Sequence, residues 1–582
     1  MKTRNYELKI VFLLIAIGFV VFGNSLGGDF VYDDHLILSH SFMGDWGNLA
    51  SFFNGPYFED FGESGLYRPL TQVSLSLNFL LFGNGSFSFH IINVLLHTVN
   101  SFLVFLLIQK ISKRQKFSLI SSIIFLVLPI HVEAVSSIVG RAELLTFLFS
   151  LFSVLILLDK PTVKWSLVSA GCFFLALLSK ETAVALFPVV LIIIFVYTDV
   201  YTSLYTKVAH ASYFLIAILG YFLLRINALG MHAFGVQPEF VFNPLAYVSA
   251  GERVLTAFKI LPLYLQKILI PFGLSPDYSF NQIKNVSEIN FLSIVGIIVL
   301  FGLIFWAIKK INNIFWVLGI SLFIFPYLLI SNLLFPVGTI MGDRLMYLPS
   351  VGLIILLAFL PDKKKYKRAL IGLVAVYSVL CINQNKIWAN ETTLYKAMYE
   401  RSSDSVVAKT NWAKTLVLEG QTSEARELLL EANSQYEYFL LTLTWLGSIE
   451  ANESNFEKAE EYFEKALLLR PNNQNVLTSL SRVYFKQRKY HQANRILESL
   501  VLNYSGEGNK ILYVISQIRA HNYQKAINVI TKYYGDNPTD ESARVLFAYA
   551  NYKIGNFALA NKTGFSFKEA EDNFLNLESF FW

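Results

Sequence analysis

Apolar positions fall in long, nearly unbroken runs over the first two thirds of the chain, and in a three-to-four-residue rhythm over the last third. A helix needs about 20 apolar residues to cross a bilayer, with a range of roughly 17–25. On that scale about eleven runs predict spans: 10–26, 90–108, 117–135, 144–158, 165–178, 183–197, 208–225, 291–308, 314–334, 345–360 and 369–384. Segment 251–272 carries Arg253, Lys259 and Lys267 at helical intervals, so it reads as an amphipathic helix lying in the interface.

The last third repeats itself. Ala425, Ala459 and Ala493 stand 34 residues apart, as do Ala413, Gly447 and Ser481; Ala526 follows after 33 and Ala560 after another 34. A 34-residue period with small residues where paired helices touch predicts tetratricopeptide repeats, four to five of them from Asp404 onward. Such pairs stack into a curved solenoid whose concave face suits a polypeptide. The fold class is therefore all-α: a polytopic membrane domain over 1–385 with a long first outer loop at 27–89, a linker over 386–403, and a repeat solenoid over 404–582.

Composition sharpens this division. Charged residues make up 15% of the chain, against about 25% in soluble domains, and half of them lie after Asn385. That excludes a disordered chain and argues against a wholly soluble one. The net charge of +6 comes with no basic stripe, so no nucleic-acid partner is expected. The two cysteines, Cys172 and Cys381, sit inside apolar runs and predict neither disulfide nor metal site. Basic clusters at the N-terminus, 110–116, 309–310 and 363–368 mark cytoplasmic loops. Counting spans from them puts 27–89, 131–143, 179–182, 331–344 and the repeats on the other side.

Ionisable residues gather in those outer segments. Asp33 and Asp34 follow the first span, and either could act as a base or hold a divalent cation; no other cofactor is expected. Arg68, His131, Glu133, Arg141, Glu143, Lys180, Glu181 and Arg344 sit at span ends or in loops of the same side. Arginine and lysine donors at a membrane surface suit a lipid phosphate. His90 and His97 share a helix face seven residues apart, where polar groups more often join helices than do chemistry. No phosphate-binding loop, dinucleotide fingerprint or nucleophile elbow is present, so the energy for any transfer must come with the substrate.

The motifs GDFVYDD, YRPLTQVSLSLNFLLFG, FHIINVLLHTVNSFLVFLL, PIHVEAVSSIVGRAELL, LLSKETA and DRLMYLPSVGL, in this order and before 34-residue repeats, resemble the transmembrane and tetratricopeptide-repeat O-mannosyltransferases. The shorter repeat array favours a bacterial relative. The resemblance implies a GT-C glycosyltransferase that takes a sugar, mannose first, from a polyprenyl or dolichyl phosphate to Ser or Thr hydroxyls of a protein, with inversion. It implies Asp33 as base with Asp34 second, and Arg141, Lys180 and Arg344, with Arg68, near the donor phosphate. A non-enzymatic repeat scaffold and a lipid-linked-sugar flippase are the competing expectations.

Overall fold

The computed structural model describes residues 2–58, 65–160, 162–197, 203–235, 237–357, 363–504 and 506–581. All regular structure among them is helical, and the chain divides into two compact units, Met1–Ala408 and Lys409–Trp582.

In the first unit six helices are long and apolar enough to cross a membrane: Tyr6–Ser25, Ser86–Ser112, Arg141–Asp159, Leu204–Phe234, Phe291–Lys309 and Lys364–Ala389. Gln115–Leu126 and Pro129–Ser136, bent by 48° at their break, make a seventh if taken together. The protein is a multi-pass membrane protein. The remaining four of the eleven predicted runs form the 17-residue helices Val163–Ser179 and Ile314–Ile330, the apolar helical stretch Glu181–Tyr197 and the helix Tyr347–Leu357. The end of the 345–360 run and positions 59–64 of the outer loop lie outside the described residues.

Helices Ile314–Ile330 and Tyr347–Leu357 approach through facing glycines. A Cβ on Gly352 would collide with the Gly319 carbonyl oxygen and stand 2.5 Å from the Phe323 amide, so only a bare backbone allows this packing. The amphipathic segment is a helix, Ala250–Leu269, started by a Ser249–Glu252 capping box. It buries Thr256, Ala257, Ile260, Leu261, Tyr264 and Ile268.

Two stretches are more ordered than their sequence predicts. Loop 27–89 contains the short helix Asp34–Leu38 and the helix Pro69–Phe82. Proline at the first position starts the latter and Gly83, at φ +76, ends it. Its Thr71 hydroxyl donates to the Ser179 carbonyl over 2.8 Å. The expected linker 386–403 is likewise not a tether. It holds the helix Glu391–Arg401, whose Leu394, Tyr395, Ala397 and Met398 are buried within the first unit. An apolar face of that size has to be covered, which a free linker would not do.

In the second unit, helices starting at 440, 474, 507 and 541 each pair with a following helix, the rhythm expected of tetratricopeptide repeats. Gly447 shows why small residues recur. A Cβ there would lie 2.7 Å from the Phe463 ring of the partner helix. One continuous core, including Ala459, Phe463, Ala493, Ala526 and Ala560, runs through the stack.

Candidate active site

The site is built on the turn that follows the first span. Tyr32 adopts φ +52, a left-handed conformation rare for a bulky residue. Asp33 and Asp34 follow it as the cap and first residue of the helix Asp34–Leu38, about 100° apart around its axis, and so meet different surroundings. Asp34 is wholly buried. One carboxylate oxygen accepts from the Val31 amide at 3.1 Å and the other from the Val139 amide at 2.9 Å. Both oxygens are thus spent on backbone, and burial pushes the group up to about 7. Asp33 is half-buried and makes no hydrogen bond or ion pair among the described residues. Burial raises its pKa, the Arg344 and Arg68 guanidiniums oppose that rise, and Glu133 adds to it. Asp33 therefore lies within electrostatic reach of two cations that it does not grip.

Those cations already have partners. Arg68 donates to Glu181 through two parallel bonds, 2.9 Å from Nε and 2.6 Å from Nη2. Lys180 pairs with Glu143, both nearly without solvent exposure. Arg344 pairs with Glu133 through Nη1, and its backbone amide donates to the same carboxylate at 2.8 Å. Glu133 is buried, while the Arg344 side chain keeps 35% of its surface, and its remaining N–H groups have no partner among the described residues. Beside the Lys180–Glu143 pair is a small hollow lined by Thr182, Pro326, Ile330, Leu345, Leu348 and Pro349.

Arg141 departs from the expectation that groups it with the phosphate-binding cations. It is fully buried, with Nε donating to Asn93, Nη1 to the Ser74 carbonyl and Nη2 to Asn78 and the Phe89 carbonyl. Four of its donors are consumed in joining helices. His97 bridges the Tyr347 hydroxyl and the Leu126 carbonyl, and His131 bridges the Phe125 carbonyl and Ser350. His90 is buried beside Gly28. These three histidines are buried within the helix packing.

The sequence does not reveal two further carboxylates. Asp277 accepts from the Ser279 and Ser405 hydroxyls at 2.9 and 2.5 Å, and Asp343 accepts from Tyr278 at 3.0 Å. Burial holds both above the ordinary carboxylate range. Their signal, an aspartate beside serine or tyrosine in a short loop, does not differ from a turn. Among the described residues no three His, Cys, Asp or Glu side chains converge as metal ligands, and Asp34, one of the two residues considered for a cation, has no free oxygen.

Comparison with known proteins bears out the resemblance drawn from the motifs. Residues 68–223 match the family described as dolichyl-phosphate-mannose-protein mannosyltransferase, a stretch that holds Arg68, Glu133, Glu143, Lys180 and Glu181. Residues 452–533 match the family of anaphase-promoting complex subunit 3. The human protein O-mannosyl-transferase TMTC3 is 24% identical over 83% of this chain and 63% of its own. The Caenorhabditis elegans protein O-mannosyl-transferase F38B6.6 is 25% identical over 73% and 62%, and mouse TMTC4 is 26% identical over 71% and 65%. The chain thus spans less than two thirds of the length of these relatives.

Proposed function

We propose that this protein is a membrane O-mannosyltransferase that moves mannose from a polyprenyl or dolichyl phosphate to Ser or Thr hydroxyls of a protein. The observation that carries this reading is the contrast between Asp33 and its neighbours. Glu133, Glu143 and Glu181 each hold a cation, whereas Asp33 is left with none. A general base needs a free lone pair beside the proton it takes, and a leaving phosphate needs donors with unused N–H groups. Asp33 fits the first need and Arg344 the second.

In this reading the donor phosphate rests against the unused N–H groups of Arg344, with the Lys180–Glu143 and Arg68–Glu181 pairs beside it. Its prenyl chain follows the apolar wall beside Glu143. Asp33 takes the hydroxyl proton as the acceptor oxygen attacks the anomeric carbon. The bond from that carbon to the phosphate oxygen breaks, the phosphate keeps the electron pair, and configuration inverts. Preset N–H donors on Arg344, aimed at the charge the phosphate gains, supply part of the acceleration. The repeats take the acceptor polypeptide. The basic loop clusters support an extracytoplasmic placement of both, and the bacterial inner membrane is the proposed location.

The test uses membranes bearing the full chain, labelled polyprenyl-phosphate mannose and candidate acceptors. Asp33→Asn should abolish transfer, a loss on the order of 100-fold or more, while donor binding persists. Equal transfer by wild type and Asp33→Asn would remove Asp33 as the base.

A further inference from the structure

The helix between the last long span and the repeats touches the turn that presents Asp33. The Asp29 amide donates to the Ala389 carbonyl at 2.8 Å. The Tyr32 ring meets the Tyr395 ring edge-on, 6.3 Å between centres and 76° between planes. Glu391 lies 3.7 Å from His35 Nε2 and accepts the Tyr395 hydroxyl proton at 2.8 Å. Helix Glu391–Arg401 is itself fixed: a capping box of Asn390 and Thr393 starts it, and Arg401 donates to Gln384 at 2.7 Å near its end.

The turn is thus gripped at two places. Asp34 ties one side to the Val139 amide, and Tyr395 braces the other through Tyr32. Tyr32 needs such bracing, because a non-glycine residue held at positive φ costs on the order of 1–3 kcal/mol unless its surroundings impose it. Asp33 is the residue between the two grips, and it has no side-chain bond of its own to fix it. We infer that Tyr395, on the helix leading into the repeats, is a positioning residue for Asp33. It acts by holding Tyr32 in its left-handed conformation so that the Asp33 carboxylate stays turned toward Arg344.

This inference rests on the reading of Asp33 as the base, and one experiment separates the two. Full-length wild type, Tyr395→Ala, Tyr395→Phe, Glu391→Ala and Asp33→Asn are compared for kcat and KM toward lipid-linked mannose between pH 5 and 9. Tyr395→Ala should lower kcat about 10- to 100-fold, the cost of displacing a catalytic group by roughly 1 Å, with KM for the donor within twofold. The acid limb of its pH profile should move, because Asp33 would shift relative to Arg344, Arg68 and Glu133, the charges that face it. Tyr395→Phe keeps the ring and should restore most of the rate. Glu391→Ala, at the half-buried first turn, should show the same effect more weakly and covers the case in which Tyr395→Ala does not fold. Unchanged kcat and pH profile in both Tyr395→Ala and Glu391→Ala, with Asp33→Asn inactive, would overturn the inference and leave the base in place. So would a joint loss of kcat, donor binding and thermal stability with an unmoved profile. Full activity of Asp33→Asn would instead overturn the reading beneath it.

Discussion

Adjacent residues of one type can meet opposite fates, and Asp33 and Asp34 do. The sequence places both at a membrane edge, but one is half-exposed and the other wholly buried, because they stand at the cap and first position of a short helix, where successive side chains point about 100° apart. No composition or spacing rule reports which of the two faces inward. Asp34 has a pH signature of its own. Its folded-state pKa of about 7 lies above the roughly 3.9 of an unfolded aspartate. The stability it contributes is therefore fully present below about pH 4 and is lost as pH rises toward 7. Asp34→Asn cannot titrate, so the wild-type advantage in Tm over this variant should shrink between pH 5 and 8, measured by thermal unfolding in detergent. A constant gap would show that Asp34 is ionised throughout. The ion pairs were equally hidden: their members were legible as candidates, but the partners lie 113, 37 and 211 residues apart. Arg141 reads as a surface cation and proves a bolt, since its acceptors are amides and carbonyls that carry no charge pattern.

Helices were the most legible level. Unbroken apolar runs and a 34-residue period are properties of the chain itself, and they return as helices at nearly the expected places. What escaped was short: Pro69–Phe82, despite its proline start and glycine stop, and Glu391–Arg401, read as a linker. Their burial depends on neighbours distant in sequence. Close approach of elements is similarly a matter of three dimensions. Gly352→Ala should separate Ile314–Ile330 from Tyr347–Leu357 and cost about 1–3 kcal/mol of stability. Gly171→Ala, in a helix with open space around that position, should be neutral or slightly stabilising. Comparison of the two unfolding midpoints checks the packing, and equal shifts would refute it.

At the scale of the molecule, the uneven distribution of charge and hydropathy is the whole-chain fact that sequence conveys best. It separates a membrane unit from a repeat unit, as the contacts also do, with the division falling at Ala408. Loop charge in the sequence also leads to the expectation that the ionisable groups collect on one face. It does not report their pairing: among the described residues the gathered charges form the pairs Arg68–Glu181, Lys180–Glu143 and Arg344–Glu133 and leave Asp33 outside them.

Those closed pairs bear on how fast the protein can work repeatedly. A spent lipid phosphate is more strongly anionic than the donor it came from, and bare cations would retain it. Arg344 has Glu133 waiting to reclaim its attention, so the departing product competes with a carboxylate already in place. Glu133→Gln weakens that competitor and should make added polyprenyl phosphate inhibit about fivefold more strongly, the equivalent of a ~1 kcal/mol partly exposed pair. An unaltered inhibition constant in Glu133→Gln would reject this. Under the proposed lipid-phosphate chemistry, the contact that fills the site at rest would also quicken product release in the wild type.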